Sequence, residues 1–245
     1  MKLVGIDLGW NSQPTGLCCL EWKQEKLHLL ALDRKLAIEE IFAWCDSVIA
    51  KDEPALIAVD APTLIPNATG MRRPDQLTHK YFGRYHAGCY PANRNRAFAE
   101  RTVAFGLALE ERGFRHAPAI IPQKTGRYQI EVYPHAAMVQ LFQLERILKY
   151  KKGRIAQRKA ELAKLQQYTQ ATLPQLTPSL SLEALPDSIA GSLDNLTGTA
   201  LKAIEDQLDS LICAYIGAHW WYWGESRNWV LGDRDHGYII VPVVR

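Results

Sequence analysis

The sequence predicts an α/β protein with a mixed sheet, in which a three-strand meander is followed by alternating helices and strands. Three observations carry this. Residues 2–8, 17–22 and 27–32 are short apolar runs parted by polar, turn-forming residues. The apolar period then changes: Ile38, Ile41, Phe42, Cys45, Val48 and Ile49 recur at helical spacing. Residues 56–60, LIAVD, are apolar almost throughout, as in a strand buried on both faces.

The elements follow in order. Residues 11–16, NSQPTG, have turn chemistry, and residues 23–26 make a short polar connection. A helix is predicted over 37–51, with Pro54 marking its end, and Ala61-Pro62 stops the strand at 56–60. Residues 62–92 lack a clean period and read as a long irregular insertion, the kind of loop that carries function. A helix over 94–112 ends at Gly113, and a short strand over 130–133 is closed by Pro134. Helical character runs through 135–170 with a break at Gly153, and the proline- and glycine-bearing stretch 172–198 reads as loop-rich. Residues 140–198 are thus an extra, largely helical segment. A helix over 199–218 and a strand over 237–244, with Pro242 suggesting a sheet edge, complete the chain. This is the ribonuclease H-like order, which also begins each half of actin-like ATPases.

Length and composition bound the answer. The 245 residues fit one domain, 1–245, with a full hydrophobic core. With 47% hydrophobic and 22% charged residues and no low-complexity tract, disordered and fibrous classes are excluded. The five cysteines make no C-x-x-C pair, which speaks against a zinc ribbon and for buried, reduced thiols. The N-terminus lacks the pattern of a signal peptide and no stretch approaches a membrane span, so a cytoplasmic location is expected. The net charge of +3 is uneven: residues 62–116 carry +5 and residues 140–170 carry +6, leaving −8 elsewhere. Such a split suits a polyanion-binding face beside an acidic centre.

The acidic residues are candidates for that centre. Asp7 closes the first strand, Asp60 ends the buried strand, Glu131 lies in an apolar strand, and Asp206 and Asp209 are one turn apart on the last helix. An unpaired carboxylate in such surroundings is costly. Lys202, four residues before Asp206, is the one basic partner close in sequence. A shared divalent cation would satisfy several carboxylates at once, and hard oxygen ligands favour Mg²⁺ or Mn²⁺.

These motifs resemble a known family. G-I-D-L-G at residues 5–9, V-D-A-P at 59–62, E-V-Y-P at 131–134, K-x-x-x-D-x-x-D-S-L-I-C-A at 202–214 and G-Y-I-I-V-P at 237–242 look like domain-of-unknown-function family 429. That family is described as predicted nucleases of ribonuclease H fold. The D-x-x-D step also resembles Holliday-junction resolvases, which by analogy makes Asp7, Asp60, Asp206 and Asp209 metal ligands. Glu131 is extra to that scheme, and whether Glu131 or Asp206 completes the set stays open.

The function expected is therefore metal-dependent hydrolysis of nucleic-acid phosphodiesters, DNA or RNA. Asp7, Asp60, Glu131 and Asp209 are the catalytic candidates. Arg72, Arg73, Lys80, Arg84, Arg94 and Arg96, interleaved with tyrosines, are candidate phosphate contacts. Lys202 and His135 are possible auxiliaries. The basic run from Lys149 to Lys164 reads as a solvated helix face, and the tryptophans from Trp220 to Trp229 as a core or lid. The rival functions are a non-catalytic nucleic-acid or protein-binding scaffold and an actin-like ATPase or phosphotransferase.

Overall fold

The structure, a computed structural model, describes residues 1–10, 13–183 and 185–244; Asn11 and Ser12 of the predicted turn thus lie outside the described residues. Strand β1 (Lys2–Asp7) pairs antiparallel with β2 (Thr15–Lys23), which pairs antiparallel with β3 (Lys26–Lys35). Helix α1 (Ile38–Val48) follows, its first turn held by the Glu40 carboxylate, which accepts the Ala37 N–H at 3.1 Å. It leads to β4 (Ala55–Val59), parallel to β1 on the side away from β2. Helices α2 (Arg73–Phe82) and α3 (Ala99–Glu111) precede β5 (Arg115–His116) and β6 (Arg127–Glu131), and β6 lies parallel between β4 and β5. Next come α4 (Pro134–Leu141), α5 (Ile155–Thr172), β7 (Ser179–Leu180) and α6 (Asp187–Ala190). Helix α7 (Gly198–Trp223) and a hairpin of β8 (Asn228–Asp233) and β9 (Gly237–Pro242) finish the fold. The main sheet has seven strands in the order β5-β6-β4-β1-β2-β3-β7, so this is an α/β fold with a mixed, mostly parallel sheet.

Strand alternation sorts the apolar side chains into two layers. Val4, Ile6, Ile57 and Val59 meet Ile41 and Phe42 of α1 and Phe105 and Leu109 of α3. Leu3, Leu56, Ala58 and Ile130 face the layer that holds α7. Every residue of α7 from 208 to 221 is buried, because β1, β2 and β4 pack on one side while α4, α5, α6 and β9 pack elsewhere on it. Glycine lets it come so close: a Cβ on Gly5 would stand 2.0 Å from the Ser210 carbonyl oxygen, and one on Gly16 would stand 2.1 Å from that of Asp206. Gly5 of the G-I-D-L-G motif therefore serves as a seat for a helix, a role different from the phosphate loop of an ATPase.

Several expectations are corrected. The insertion at 62–92 contains α2, with Pro74 in its first turn and the Asp75 carboxylate accepting the Arg72 N–H at 2.9 Å. Helix α3 starts at Ala99 because residues 94–98 form turns, with Ala99 N–H donating to the Arg96 carbonyl. Residues 142–154 are irregular, so the first part of the basic run is a loop packed against the domain. Strands β5, β7 and β8 were not foreseen, the first two for their brevity and the third because tryptophan and glycine mask its alternation. Trp220 and Trp221 are core residues, as expected. All five cysteines are buried and unpaired. Among the described residues no helix is long and apolar enough to cross a membrane.

Candidate active site

The parallel strands β6, β4 and β1 end at one edge of the sheet, the usual place for a site in such folds. Ile6 and Val59 are register partners, and the Asp60 N–H donates to the Ile6 carbonyl at 2.8 Å. Asp7 and Asp60 are the next residues on adjacent strands, so both project toward the α7 layer. Glu131 is in register with Val59 and by alternation projects to the other face. There Arg72 donates to it twice, from Nη1 at 2.8 Å and Nη2 at 2.6 Å. Arg72 also donates to Asp75 from Nε and Nη2 and to the Leu64 carbonyl from Nη1. These five bonds use its full complement of donors. Burial works against the Arg72 charge, but Glu131 and Asp75 outweigh it and push its pKa up. Glu131 and Arg72, expected as a metal ligand and a phosphate contact, meet in a buried ion pair that fixes the insertion to the sheet, and both also line the cavity over Asp60.

On the α7 face Asp209 accepts a hydrogen bond from the Tyr150 hydroxyl at 2.6 Å on Oδ1. Lys151 Nζ lies 2.9 Å from its Oδ2. That approach lacks hydrogen-bond alignment, so buried Oδ2 has no hydrogen-bond partner among the described residues. Asp7 feels both neighbours: burial pushes its carboxyl up to about 6, Lys151 opposes this, and Asp209 and Asp206 add to it. Burial, and then the Asp7 charge, push Asp60 well above the carboxylate range. Burial works to lower the Lys151 pKa, yet Asp209, Asp7 and Asp60 prevail and hold the ammonium charged. Asp7, Asp60 and Asp209 thus share one electrostatic centre, with Lys151 as its counter-ion.

Asp206 does not join them as a free ligand. Lys202 Nζ is 2.5 Å from its Oδ1, and Arg34 donates to Oδ2 from Nε at 3.0 Å and Nη2 at 2.8 Å. Its expected metal role gives way to a tie between α7 and β3. Lys202 also bonds Glu205 at 2.7 Å.

A cavity of about 360 Å³ opens over Asp7 and Asp60 and is also lined by His135, Lys151, Lys202 and Arg101. Burial, then Lys151, push the His135 pKa down to about 4, and its Nδ1 has no partner among the described residues. His135 is thus a neutral imidazole on the cavity wall. Arg72 lines the cavity too, whereas the remaining basic candidates lie outside. Lys80 and Arg84 stack over Tyr81 and Tyr85, Arg94 Nε donates to the Ile65 carbonyl at 3.1 Å, Arg96 stacks on Tyr90, and Arg73 is exposed. Sequence reasoning missed Lys151, Tyr150 and Arg101. The signal for Lys151 was present, a lysine beside Tyr150 and Gly153 where the helical period breaks.

Among the described residues no group of three or more His, Cys, Asp or Glu side chains is arranged to hold a metal ion. No curated protein and no solved structure matches the chain. The family model described as "Protein of unknown function (DUF429)" matches residues 5–236, nearly the whole length, and the chain belongs to that family.

Proposed function

We propose that the fold is ribonuclease H-like and that the site hydrolyses nucleic-acid phosphodiesters with Mg²⁺ or Mn²⁺. The strand order β3-β2-β1-β4-β6, antiparallel through the meander and parallel beyond it, supports the fold. The observation that carries the function is the pair Asp7 and Asp60. They sit on adjacent strand ends, face one layer and line one cavity, and burial raises both pKa values, with the Asp209 charge adding at Asp7 and the Asp7 charge adding at Asp60.

The donor set fits a hard cation. Mg²⁺ is commonly held by one or two carboxylates, with water and substrate phosphate filling the remaining positions. Asp7 and Asp60 would hold it, beside an Asp209 carboxylate whose Oδ2 is 2.9 Å from the Lys151 ammonium and whose Oδ1 accepts the Tyr150 hydroxyl. Bound there, the ion would supply Lewis-acid stabilisation of charge on the phosphoryl group. The chain's own groups do the rest. Lys151 offsets the carboxylate charge that would repel a phosphate, and Tyr150 fixes Asp209.

The test is cleavage of labelled single-stranded, duplex and branched nucleic acids with Mg²⁺ or Mn²⁺. Wild type should cleave at least one of them, and Asp7→Asn should lose about a hundredfold or more while staying folded. Equal trace cleavage by both proteins sinks the proposed site. Binding without cleavage by either selects the scaffold reading.

A further inference from the structure

Resting on that phosphodiester reading, we propose that the cavity accepts an unpaired nucleobase against Trp10 and Tyr90, so that the substrate is single-stranded at the cleaved position. Trp10 and Tyr90 are 60% and 63% exposed, the two most exposed large aromatic rings among the described residues. Both line the cavity that Asp7 and Asp60 line. Large rings left exposed at a cavity mouth mark a binding surface, and their flat faces suit a flat ligand. Their centroids are 6.1 Å apart at 78°, and Phe98 supports Trp10 from 4.9 Å. The indole is therefore braced and presents a π-face in a fixed place.

Charge near the rings agrees with a nucleotide. The Arg96 guanidinium, outside the cavity lining, lies 5.1 Å over the Tyr90 ring. Arg101 lines the cavity, and its Nε and Nη2 are buried without a partner among the described residues. A guanidinium left short of acceptors is costly, and a phosphate or a base carbonyl would supply them. Trp10 stands three residues beyond Asp7, so their Cα atoms are at most about 11 Å apart. A base on Trp10 thus belongs to a nucleotide at or next to the phosphate over Asp7 and Asp60. Bases within a duplex have both faces covered by their neighbours and cannot use this surface. Aromatic platforms of this kind serve single strands and tolerate any base.

The test measures binding apart from cleavage. Fluorescence anisotropy with the full chain in metal-free buffer compares three labelled oligonucleotides of equal length at one salt concentration: a single strand, a blunt duplex, and a single strand bearing consecutive abasic sites. The intact single strand should bind roughly tenfold or more tightly than either of the others. Trp10→Ala should abolish that preference and Trp10→Phe should keep most of it. Arg101→Gln should weaken both single strands and flatten their salt dependence. Thermal melts identical to wild type establish that the variants are folded. The inference is overturned if the abasic strand binds as well as the intact one, if Trp10→Ala keeps the preference, or if no strand binds. Its failure separates from that of the hydrolase reading: preference without cleavage under any metal removes only the hydrolysis, and cleavage without preference removes only the platform.

Discussion

Asp7 shows how one carboxyl links burial to pH. Its pKa is 3.8 in ordinary surroundings and about 6 in the fold. Between those values the folded protein keeps a proton that the unfolded chain has released. The resulting stability is fully present below about pH 4, declines as the pH rises through about 6, and then levels off. In metal-free buffer the wild-type melting temperature should therefore fall across that window relative to Asp7→Asn, which has no charge to bury. Parallel pH profiles for the two proteins would contradict this. At this scale the sequence disclosed Asp7, Asp60 and Asp209, because a carboxylate among apolar neighbours signals a missing partner. Glu131 carries the same signal, but its partner is Arg72, 59 residues away. Asp206 likewise finds Arg34 from 172 residues away. Only the tertiary fold shows which counter-ion each carboxylate meets: Arg72 for Glu131, Arg34 and Lys202 for Asp206, and Lys151 for Asp209.

Elements tell a different story, because a periodic pattern is local. The helix at 37–51, the strand at 56–60 and the helix at 199–218 were legible from apolar spacing. So was the stop at Gly113, whose φ of +82° is a conformation glycine adopts without strain. Helix α2 was not legible: its inward face is made by Pro74, Asp75, Thr78 and Phe82, so charge and hydroxyl stand where a pattern reader expects hydrocarbon. Nor was the depth of α7 in the fold, which depends on what β1 and β2 lack. Gly5→Ala would push a methyl group into the Ser210 carbonyl and the Ala214 amide, both backbone atoms unable to turn aside. We expect a loss of about 3 kcal/mol or more in urea denaturation, at or beyond the upper end for overpacked cores. Gly83 is the control: it has αR geometry and nothing within 4 Å of an added Cβ, so Gly83→Ala should be neutral or slightly stabilising. Comparable losses for the two would mean that α7 does not depend on the close approach at Gly5.

For the molecule as a whole, α7 is the element on which the sheet and one of its faces converge. It packs on β1, β2 and β4 and also meets α4, α5, α6 and β9, so the sheet and that face hold together through it. Tryptophan fluorescence and far-UV circular dichroism should consequently report one coincident unfolding transition. Two separated transitions would show that the hairpin or the 140–198 segment unfolds on its own. The central place of α7 also has a consequence in time. The strands it covers are complete by residue 59, whereas α7 itself begins at residue 198. At ribosomal speeds of about 5–20 residues per second, the intervening chain takes on the order of ten seconds to make. Throughout that interval Leu3, Leu20, Leu56 and Ala58 wait for the helix that will cover them. Until then these side chains lack their native cover, so slower synthesis lengthens the interval in which they are open to aggregation.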